Sequence, residues 1–405
     1  MEPKFYRKVL PNGMVVILEK REIPVVSVAF AVRCGGLHES SEEKGISHFI
    51  EHLLYKGTPK RNAKKIAEEI ERKGGVLNGF TDESMTAFWC KMPSRHLNVA
   101  LDVLGDMVRN PLFNEKEIDK ERHVIFEEMK MYKDNPTYYV LEKMHSSLYG
   151  GSFGIPLIGT EETLNAVTRE KILERFDLVY QPKNMILCVV GDCEFEDLID
   201  FVEKNFSFKK RMGKIPLFDV VKQNKSALEE RSGVDQANLV FSYHVPVFDN
   251  GKSYASGILN ILMSEGMSSR LFHEIREKRN LAYSVKGGSE VDPEFAYNFV
   301  YVGTKKENVE KIKKIILEEF KKVSEELSEE ELNQIKEEAI GNLQISMEDS
   351  QEQMCHLLNY ETSGNAEMFY EIEEKVKAVT LKDVKNLARK AMNEHSFFAL
   401  VPKEE

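Results

Sequence analysis

The sequence has few cysteines, no long hydrophobic run and no excess of positive charge. Its cysteines form an odd set without a C-x-x-C pair and lie mostly in apolar stretches, which is typical of reduced core residues in a cytoplasmic protein: Cys34, Cys90, Cys188, Cys193 and Cys355. We therefore expect neither disulfides nor a cysteine-type zinc site. No apolar stretch reaches the ~18 residues of a membrane-spanning helix, and the N-terminus has no apolar segment, so we expect neither a membrane span nor secretion.

The low number of basic residues limits the kinds of molecule that the protein can bind. The chain has 67 acidic and 56 basic residues, a net charge of −11. Binding to nucleic acid needs a basic surface that neutralises phosphates, so no nucleic-acid partner is expected. The negative charge is compatible with a preference for basic peptides and does not by itself establish one. With 405 residues, 42% of them hydrophobic, the chain is long enough for two or three domains.

One short segment, residues 45–57, combines helical periodicity with two histidines and a glutamate. Residues four apart lie on one face of a helix, so His48 and His52 can bind one ion, with Glu51 beside them. This is the H-x-x-E-H order. Zinc accepts two imidazoles and a carboxylate and leaves a fourth position for water. Glu51 can then take a proton from that water, whose pKa the metal lowers to about 7.

The same residue types have two other interpretations. The segment is also compatible with an amphipathic helix that packs its apolar side in the core and carries two histidines opposite by chance. Two histidines and one carboxylate also form the facial triad of non-haem iron oxygenases.

A third metal ligand on another element would distinguish a metal site from an amphipathic helix that binds no metal. The predicted helix at 115–132 has four glutamates, any of which is otherwise a solvated side chain, and chemistry alone does not select one of them. Glu121 and Glu128 are seven residues apart and share a face, whereas Glu127 points about 100° away. The candidates are Glu117, Glu121, Glu127 and Glu128.

The order of predicted elements indicates two similar halves. Apolar, β-branched runs predict strands at 14–19, 25–33, 76–81, 85–92 and 185–190, and periodic runs predict helices at 63–73, 94–109, 115–132 and 136–148. Residues 209–231 are polar and basic without a clear period, which is typical of a linker between domains. We therefore predict an N-terminal metal-binding domain at 1–208, a linker at 209–231 and a C-terminal domain at 232–405.

A shift of 212 residues relates the two halves. The run Ala166-Val-Thr before a helix and a late strand recurs as Ala378-Val-Thr before the predicted strand 396–401. The same shift moves the H-x-x-E-H residues into a helix-like run, 254–264, where they become Asn260, Met263 and Ser264. The second half is therefore predicted to be a copy of the first that has lost the metal ligands.

The sequence resembles the pitrilysin/insulinase family of inverted zinc peptidases, and in particular its short-subunit branch, which includes mitochondrial processing peptidases and bacterial relatives. The metal-binding glutamate of the family lies 76 residues after the second histidine, which is Glu128 here, and a glutamate seven residues earlier that supports the site matches Glu121. The resemblance extends over the whole chain. Its other matching segments are 10–13, 74–78, 180–184, 269–272, Arg276 and 281–284.

The resemblance also implies how a peptide is bound. Substrates of the family add as a strand to the edge that begins at the asparagine of a G-G-x-x-N-A pattern. This chain has glycine where alanine is usual, so we expect a looser backbone and a wider pocket there. An arginine and a tyrosine of the second half, Arg276 and Tyr283, are expected to hold the substrate main chain and stabilise its carbonyl oxygen. The matching strand residues are Asn78, Gly79, Phe80 and Thr81.

The fold and activity implied by the resemblance are specific. We expect two homologous α+β domains, each an antiparallel sheet with helices packed on one face, around a closed chamber. The implied function is a zinc-dependent endopeptidase for unfolded peptides, with Glu51 activating a zinc-bound water. In short-subunit relatives the zinc-bearing half of one chain faces the second half of another, so we expect a homodimer whose sites Arg276 and Tyr283 complete in trans. The alternative is a non-catalytic or heteromeric subunit of a processing-peptidase-like complex.

Overall fold

The computed structural model describes residues 4–206, 213–248 and 251–403. In these ranges the strands are β1 (Lys4–Val9), β2 (Val15–Lys20), β3 (Val25–Val32), β4 (Val76–Thr81), β5 (Thr86–Pro93), β6 (Tyr149–Gly150), β7 (Met185–Gly191), β8 (Val221–Lys222), β9 (Ser226–Arg231), β10 (Ala237–His244), β11 (Ala282–Val291), β12 (Ala296–Thr304) and β13 (Ser396–Pro402). The α-helices there are α1 (Ile46–Leu54), α2 (Ala63–Glu71), α3 (Leu97–Met107), α4 (Glu115–Asp134), α5 (Pro136–Leu148), α6 (Glu161–Asn165), α7 (Arg169–Val179), α8 (Phe195–Asn205), α9 (Tyr254–Ser264), α10 (Val309–Glu326), α11 (Glu329–Ser346), α12 (Ser350–Ser363), α13 (Ile372–Ala378) and α14 (Leu381–Asn393).

The first sheet has the strand order β1-β2-β7-β3-β5-β4. Strand β3 pairs with β5 and β7 and is buried along almost its whole length, as expected for an apolar strand in the middle of a sheet. The pair β2–β7 is parallel, and the other pairs are antiparallel. Strand β4 lies at the edge, and its neighbour within the described sheet is β5.

The second sheet has five strands in the order β11-β12-β10-β13-β9, which corresponds to β4-β5-β3-β7-β2 of the first sheet. Among the described strands of the second sheet, none corresponds to β1. Its central strand β10 pairs with β12 and β13, as β3 pairs with β5 and β7. The pair β13–β9 is parallel, as β7–β2 is. The shared order confirms the predicted fold class of two homologous α+β domains, with one parallel pair in each otherwise antiparallel sheet.

Both faces of the first sheet are covered by helices, whereas the prediction placed helices on one face. Ser27 and Phe30 of β3 differ in parity and so point to opposite faces. The Phe30 ring stacks on Phe206, just after α8, at 5.5 Å between centroids. The Ser27 hydroxyl lies 2.9 Å from that of Ser350, at the start of α12. Helix α12 therefore covers the face opposite to α8.

The second sheet is covered in the same way. The Phe241 ring of β10 stacks on Phe320 of α10 at 5.6 Å. On the other face, Ser396 of β13 donates a hydrogen bond to the carbonyl oxygen of Ser147 on α5 at 3.0 Å. Helix α5 comes from the first half of the sequence, and α12, which covers the first sheet, comes from the second half.

This exchange of helices explains how the chain divides into compact units. The predicted domains 1–208 and 232–405 are consecutive stretches of the sequence, whereas the compact units interleave because each includes a covering helix from the other half. The first unit comprises Met1–Glu128, Ile155–Phe218 and Ser346–Phe369, and the second comprises Met129–Gly154, Asp219–Ile345 and Tyr370–Glu405.

The segment predicted as a linker, 209–231, contains two strands. Its residues 209–212 lie outside the described ranges. Strand β9, Ser226–Arg231, pairs in parallel with β13 at the edge of the second sheet. Most of its residues are exposed, so it lacks the apolar alternation by which strands are predicted.

No helix in the described ranges has both the length and the apolar character to cross a membrane. The five cysteines are free, and four of them are buried.

Glu361 of α12 connects this helix to the first sheet. Its side chain is 2% exposed. It accepts hydrogen bonds from Arg7 at 2.8 and 2.9 Å, from Arg33 at 2.8 Å and from the backbone N–H of Ala366 at 3.1 Å. The negative charge of the buried Glu361 carboxylate therefore faces the positive charges of two guanidinium groups, those of Arg7 and Arg33.

We expect Glu361→Gln to lower the free energy of unfolding by about 2 kcal/mol, because the two arginines lose their counter-charge while remaining partly buried. The midpoint of urea unfolding measures the loss. The matched control is Glu203→Gln at an exposed position of α8, which should change stability by less than about 0.5 kcal/mol. Equal losses in the two variants would contradict the role of Glu361.

Candidate metal centre

Helix α1 holds two histidines on the face that it does not bury. Its apolar residues are almost completely buried and form its core side: Ile46, Phe49, Ile50, Leu53 and Leu54. The side chains of His48 and His52 remain 14% and 21% exposed on the other side. The buried carboxylate of Glu39 caps the start of the helix by accepting hydrogen bonds from the N–H groups of Gly45 and Ser47, at 3.0 and 2.7 Å. The position of the histidines is therefore fixed by core packing on one side and by a cap at the N-terminus.

Helix α4 brings a carboxylate to the two imidazoles. The Oε2 atom of Glu128 lies 3.8 Å from Nε2 of His48 and 3.6 Å from Nε2 of His52. One ligand atom from each of these three residues lies within 4.8 Å of the other two. In the described ranges this is the one group of three or more histidines, cysteines or carboxylates with such spacing. Of the other glutamates of α4, Glu127 is exposed and Glu117 pairs with Lys120 at 2.6 Å.

The donor set fits a zinc ion. Two imidazole nitrogens and one carboxylate oxygen are typical protein ligands of catalytic zinc, which binds each at about 2 Å and keeps a further position open. Ligand atoms arranged around such an ion are about 3.4 Å apart, close to the separations between Glu128 and the two imidazoles. His48, His52 and Glu128 are therefore the residues that would hold the metal.

Glu121 supports this set from behind His52. Its Oε2 atom lies 3.3 Å from Nδ1 of His52, the ring nitrogen that faces away from Glu128. Its other oxygen, Oε1, lies 2.8 Å from the ammonium group of Lys56. A carboxylate on the far nitrogen fixes the orientation and tautomer of a metal-binding imidazole. The ammonium group of Lys56 in turn fixes the position of the Glu121 carboxylate.

The charges of these groups depend on burial and on their neighbours. Burial and the adjacent His52 lower the pKa of His48 to about 4. Burial opposes the charge of His52, but hydrogen bonds to Glu121 and Glu128 outweigh it and raise its pKa to about 9. Burial also raises the pKa of Glu51. The carboxylates around His52 thus stabilise a positive charge at this position.

Glu51 lies between the histidines in sequence and contacts the edge strand in space. Its side chain is buried, and its Oε2 atom accepts a hydrogen bond of 2.6 Å from the hydroxyl of Thr81 on β4. Its other oxygen, Oε1, has no hydrogen bond within the described part of the chain. Thr81, which the resemblance assigned to substrate binding, thus also orients Glu51.

The other predicted substrate-binding residues follow along the same strand. Asn78 is exposed, while Gly79 and Phe80 are partly buried. The opposite edge of β4 has no partner strand among the described residues. An edge of this kind can pair with a further strand, although the backbone N–H of Gly79 already donates a hydrogen bond of 2.9 Å to the Asn78 side chain.

Arg276 and Tyr283 lie together in the second unit. The guanidinium carbon of Arg276 is 5.2 Å from the centre of the Tyr283 ring and 4.8 Å from that of Phe272. Tyr283 is 81% exposed, which excludes a core role. Arg276 belongs to a short π-helix, Phe272–Glu277, a rare conformation that is frequent at functional sites.

The counterpart of the metal helix in the second unit is α9, whose bounds match the predicted run 254–264. At the shifted positions it carries Asn260 and Ser264, and both side chains are buried. The Asn260 amide donates a hydrogen bond to Glu265 at 3.0 Å. At the positions of the two histidines this helix thus carries neutral side chains, Asn260 and Ser264, and Asn260 is held by the carboxylate of Glu265.

Sequence reasoning missed three residues that contact the site. Lys56 follows His52 by one helical turn, a spacing that signals a shared face. Tyr55 ends α1, and Glu39 lies six residues before the N-cap residue Gly45, outside the position where capping side chains are expected. None of the three carries a sequence signal that distinguishes it from a surface or core residue.

Two family descriptions match the chain. The one for "Insulinase (Peptidase family M16)" covers residues 14–161, and that for "Peptidase M16 inactive domain" covers residues 166–339. The "Uncharacterized zinc protease YmxG" of Bacillus subtilis (strain 168) is 32% identical over 96% of this chain and 96% of its own length. An "Uncharacterized zinc protease" of Rickettsia felis is 31% identical over 99% of this chain and 98% of its own length.

Solved structures show the same fold at lower identity. A protease from Helicobacter pylori has a TM-score of 0.89 at 23% identity, covering 99% of this chain and 100% of its own. A peptidase M16 inactive domain from Pseudomonas fluorescens has a TM-score of 0.87 at 18% identity, covering 99% of each chain. From the extent and identity of the sequence matches, the chain belongs to the M16 (insulinase) peptidase family.

Proposed function

We propose that this protein is a zinc-dependent endopeptidase that hydrolyses unfolded peptides. The observation that carries the proposal is the approach of His48, His52 and Glu128 to one another, with the carboxylate of Glu51 held beside them by Thr81. The zinc-protease names of its relatives support the same class of activity.

The chemistry divides between the metal and the protein. When bound, zinc supplies a Lewis acid that polarises the scissile carbonyl and lowers the pKa of water to about 7. Glu51 acts as the general base: its free oxygen, Oε1, takes a proton from the attacking water and later delivers it to the leaving amine. Burial favours this role because it raises the pKa of Glu51, so that the carboxylate holds a proton more readily.

Glu121 and Lys56 act through His52. Because Glu121 accepts from Nδ1 of His52, it leaves Nε2 of that ring directed at Glu128. Lys56 keeps Glu121 in place at 2.8 Å. The two residues thus orient one imidazole.

Strand β4 is the proposed binding site for the peptide. Its free edge offers main-chain hydrogen bonds to an extended segment, which gives affinity without demanding a particular sequence. Residues 78–81 are the part of this edge connected to Glu51, through Thr81. A bound strand there lies beside the general base.

Arg276 and Tyr283 are proposed to hold the substrate main chain and the developing oxyanion, as part of a homodimer in the cytoplasm. The exposed ring of Tyr283 and the adjacent guanidinium of Arg276 offer a hydroxyl and a positive charge on one surface. The five unpaired cysteines support a reducing compartment.

We expect Glu51→Gln to reduce cleavage of an unfolded basic peptide about 1,000-fold, because an amide cannot accept the proton from water. Zinc content should stay at the wild-type level, since Glu51 is not among the three ligands. Metal analysis and peptide cleavage, each before and after chelation, measure the two effects. A Glu51→Gln enzyme at full speed would exclude the mechanism.

Replacing the third ligand, Glu128, tests the assignment of the metal ligands, and the neighbouring residue Glu127 provides the control. Glu128→Gln is expected to weaken zinc binding about 100-fold or more, because a carboxylate ligand becomes a neutral amide. Glu127→Gln changes an exposed neighbour on the same helix and should leave zinc affinity unchanged. Equal affinities in the two variants would contradict the assignment of Glu128, and iron in place of zinc in the purified protein would favour the oxygenase interpretation.

Completion of the sites in trans predicts rescue between two inactive chains. A mixture of Glu51→Gln and Tyr283→Phe chains that exchange subunits should recover about one quarter of wild-type activity, because half of the dimers are mixed and each has one intact site. Activity and dimer formation are measured before and after exchange. Absence of rescue despite exchange would contradict completion of the sites in trans, and activity only after addition of a different protein would favour a heteromeric complex.

A further inference from the structure

The hydroxyl group of Tyr55 is buried beside the proposed active site without a hydrogen-bond partner. Tyr55 caps the C-terminus of α1, and its ring lies 5.9 Å from that of Phe88 on β5. Its oxygen is shielded from solvent and forms no hydrogen bond with any described residue. A buried polar group in this state costs about 1–3 kcal/mol, so it calls for an explanation.

Gly79 leaves the space that this hydroxyl occupies. A Cβ atom at position 79 would lie 2.4 Å from the Tyr55 oxygen, closer than real contacts allow. It would also lie 2.9 Å from the carbonyl oxygen of Ala87. The tyrosine hydroxyl and a side chain at position 79 therefore exclude each other.

Glu51 borders the same space. Its Oε1 atom lies 3.3 Å from the position of that absent Cβ. Because Thr81 donates to Oε2, the oxygen on the side of Gly79 is the one without a donor. Glu51 is also the charged group that acts on Tyr55, where burial and the nearby carboxylate both raise the pKa of the hydroxyl. The hydroxyl lacks an acceptor, and the adjacent carboxylate oxygen lacks a donor.

We infer that Tyr55 is a positioning residue for the general base, and that in the substrate complex its hydroxyl donates a hydrogen bond to Oε1 of Glu51 across the space left by Gly79. The inference rests on the proposed peptidase function. Hydrogen bonds of catalytic groups are often long in the free enzyme and shorten when substrate binds. With Thr81 on one oxygen and Tyr55 on the other, the carboxylate has one fixed orientation, and the second lone pair of Oε1 remains for the proton of the attacking water.

In this account the absence of a side chain at Gly79 makes room for the Tyr55 hydroxyl, and its role is not backbone flexibility. Glycine at position 79 is the partner that a tyrosine at position 55 requires, since alanine would displace the hydroxyl. The two residues form a coupled pair on different elements, α1 and β4.

The first test is Tyr55→Phe in the zinc-loaded, full-length protein. We expect kcat to fall about tenfold, the usual effect of losing a group that orients an active-site residue, with KM unchanged. Zinc content should stay at the wild-type value and the thermal midpoint should not fall, because the removed hydroxyl is buried without a partner in the free protein. The control is Tyr138→Phe, at a position that is 54% exposed on α5, which should leave kcat unchanged.

The second test is the cycle of Tyr55→Phe, Gly79→Ala and the double variant. Because both changes remove the same hydrogen bond, the double variant should be no slower than the slower single variant. Losses in kcat that multiply would show two independent effects and overturn the coupling.

The outcomes separate this inference from the proposed function. A Tyr55→Phe enzyme at wild-type speed, alongside an inactive Glu51→Gln enzyme, overturns the positioning role alone. A Tyr55→Phe enzyme that loses thermal stability and kcat together shows a packing role and also overturns it. A zinc-loaded wild-type protein that cleaves no peptide overturns the peptidase function, and this inference with it.

Discussion

The metal centre depends on the packing of one short helix. Helix α1 buries its apolar side completely, and this leaves His48 and His52 one turn apart on the side where α4 presents Glu128. A carboxylate from another helix and two imidazoles from this one meet because both helices are fixed by contacts made elsewhere. The carboxylates of Glu121 and Glu39 complete the arrangement, the first behind an imidazole and the second at the start of the helix.

The same architecture occurs twice with different chemistry. The two sheets share the order of five strands, and each is covered on its second face by a helix from the other half of the chain. In the first unit the helix beside the edge strand carries ionisable ligands, whereas in the second the corresponding helix carries Asn260 and Ser264. Such a duplication allows one copy to hold a metal while the other develops a separate surface, here formed by Arg276 and Tyr283.

Most of the fold follows from local sequence, because buried strands and amphipathic helices carry strong periodic patterns. The run 254–264 and the strands around residues 25–33 and 185–190 have the bounds that their apolar residues indicate. Strands β1 and β9 were missed because edge strands are exposed and lack that pattern. Strands β10, β11 and β12 were expected only through the repetition of the first half, without bounds of their own. The exchange of α5 and α12 was also missed, since an amphipathic pattern shows that a helix is covered but not which sheet covers it. At the site, spacing selected two histidines, and the choice of Glu128 came from the family resemblance. The contact of Tyr55 with the space over Gly79 depends on separations of a few tenths of an ångström, which no sequence pattern encodes.

X-ray absorption spectroscopy of the zinc-loaded protein at the zinc edge tests the central claim most directly. Three side chains from two helices at one ion predict a first shell of nitrogen and oxygen atoms at about 2.0–2.1 Å, with the outer scattering of two imidazole rings and no sulfur. A zinc–sulfur distance of about 2.3 Å, or a shell without two imidazoles, would contradict the account.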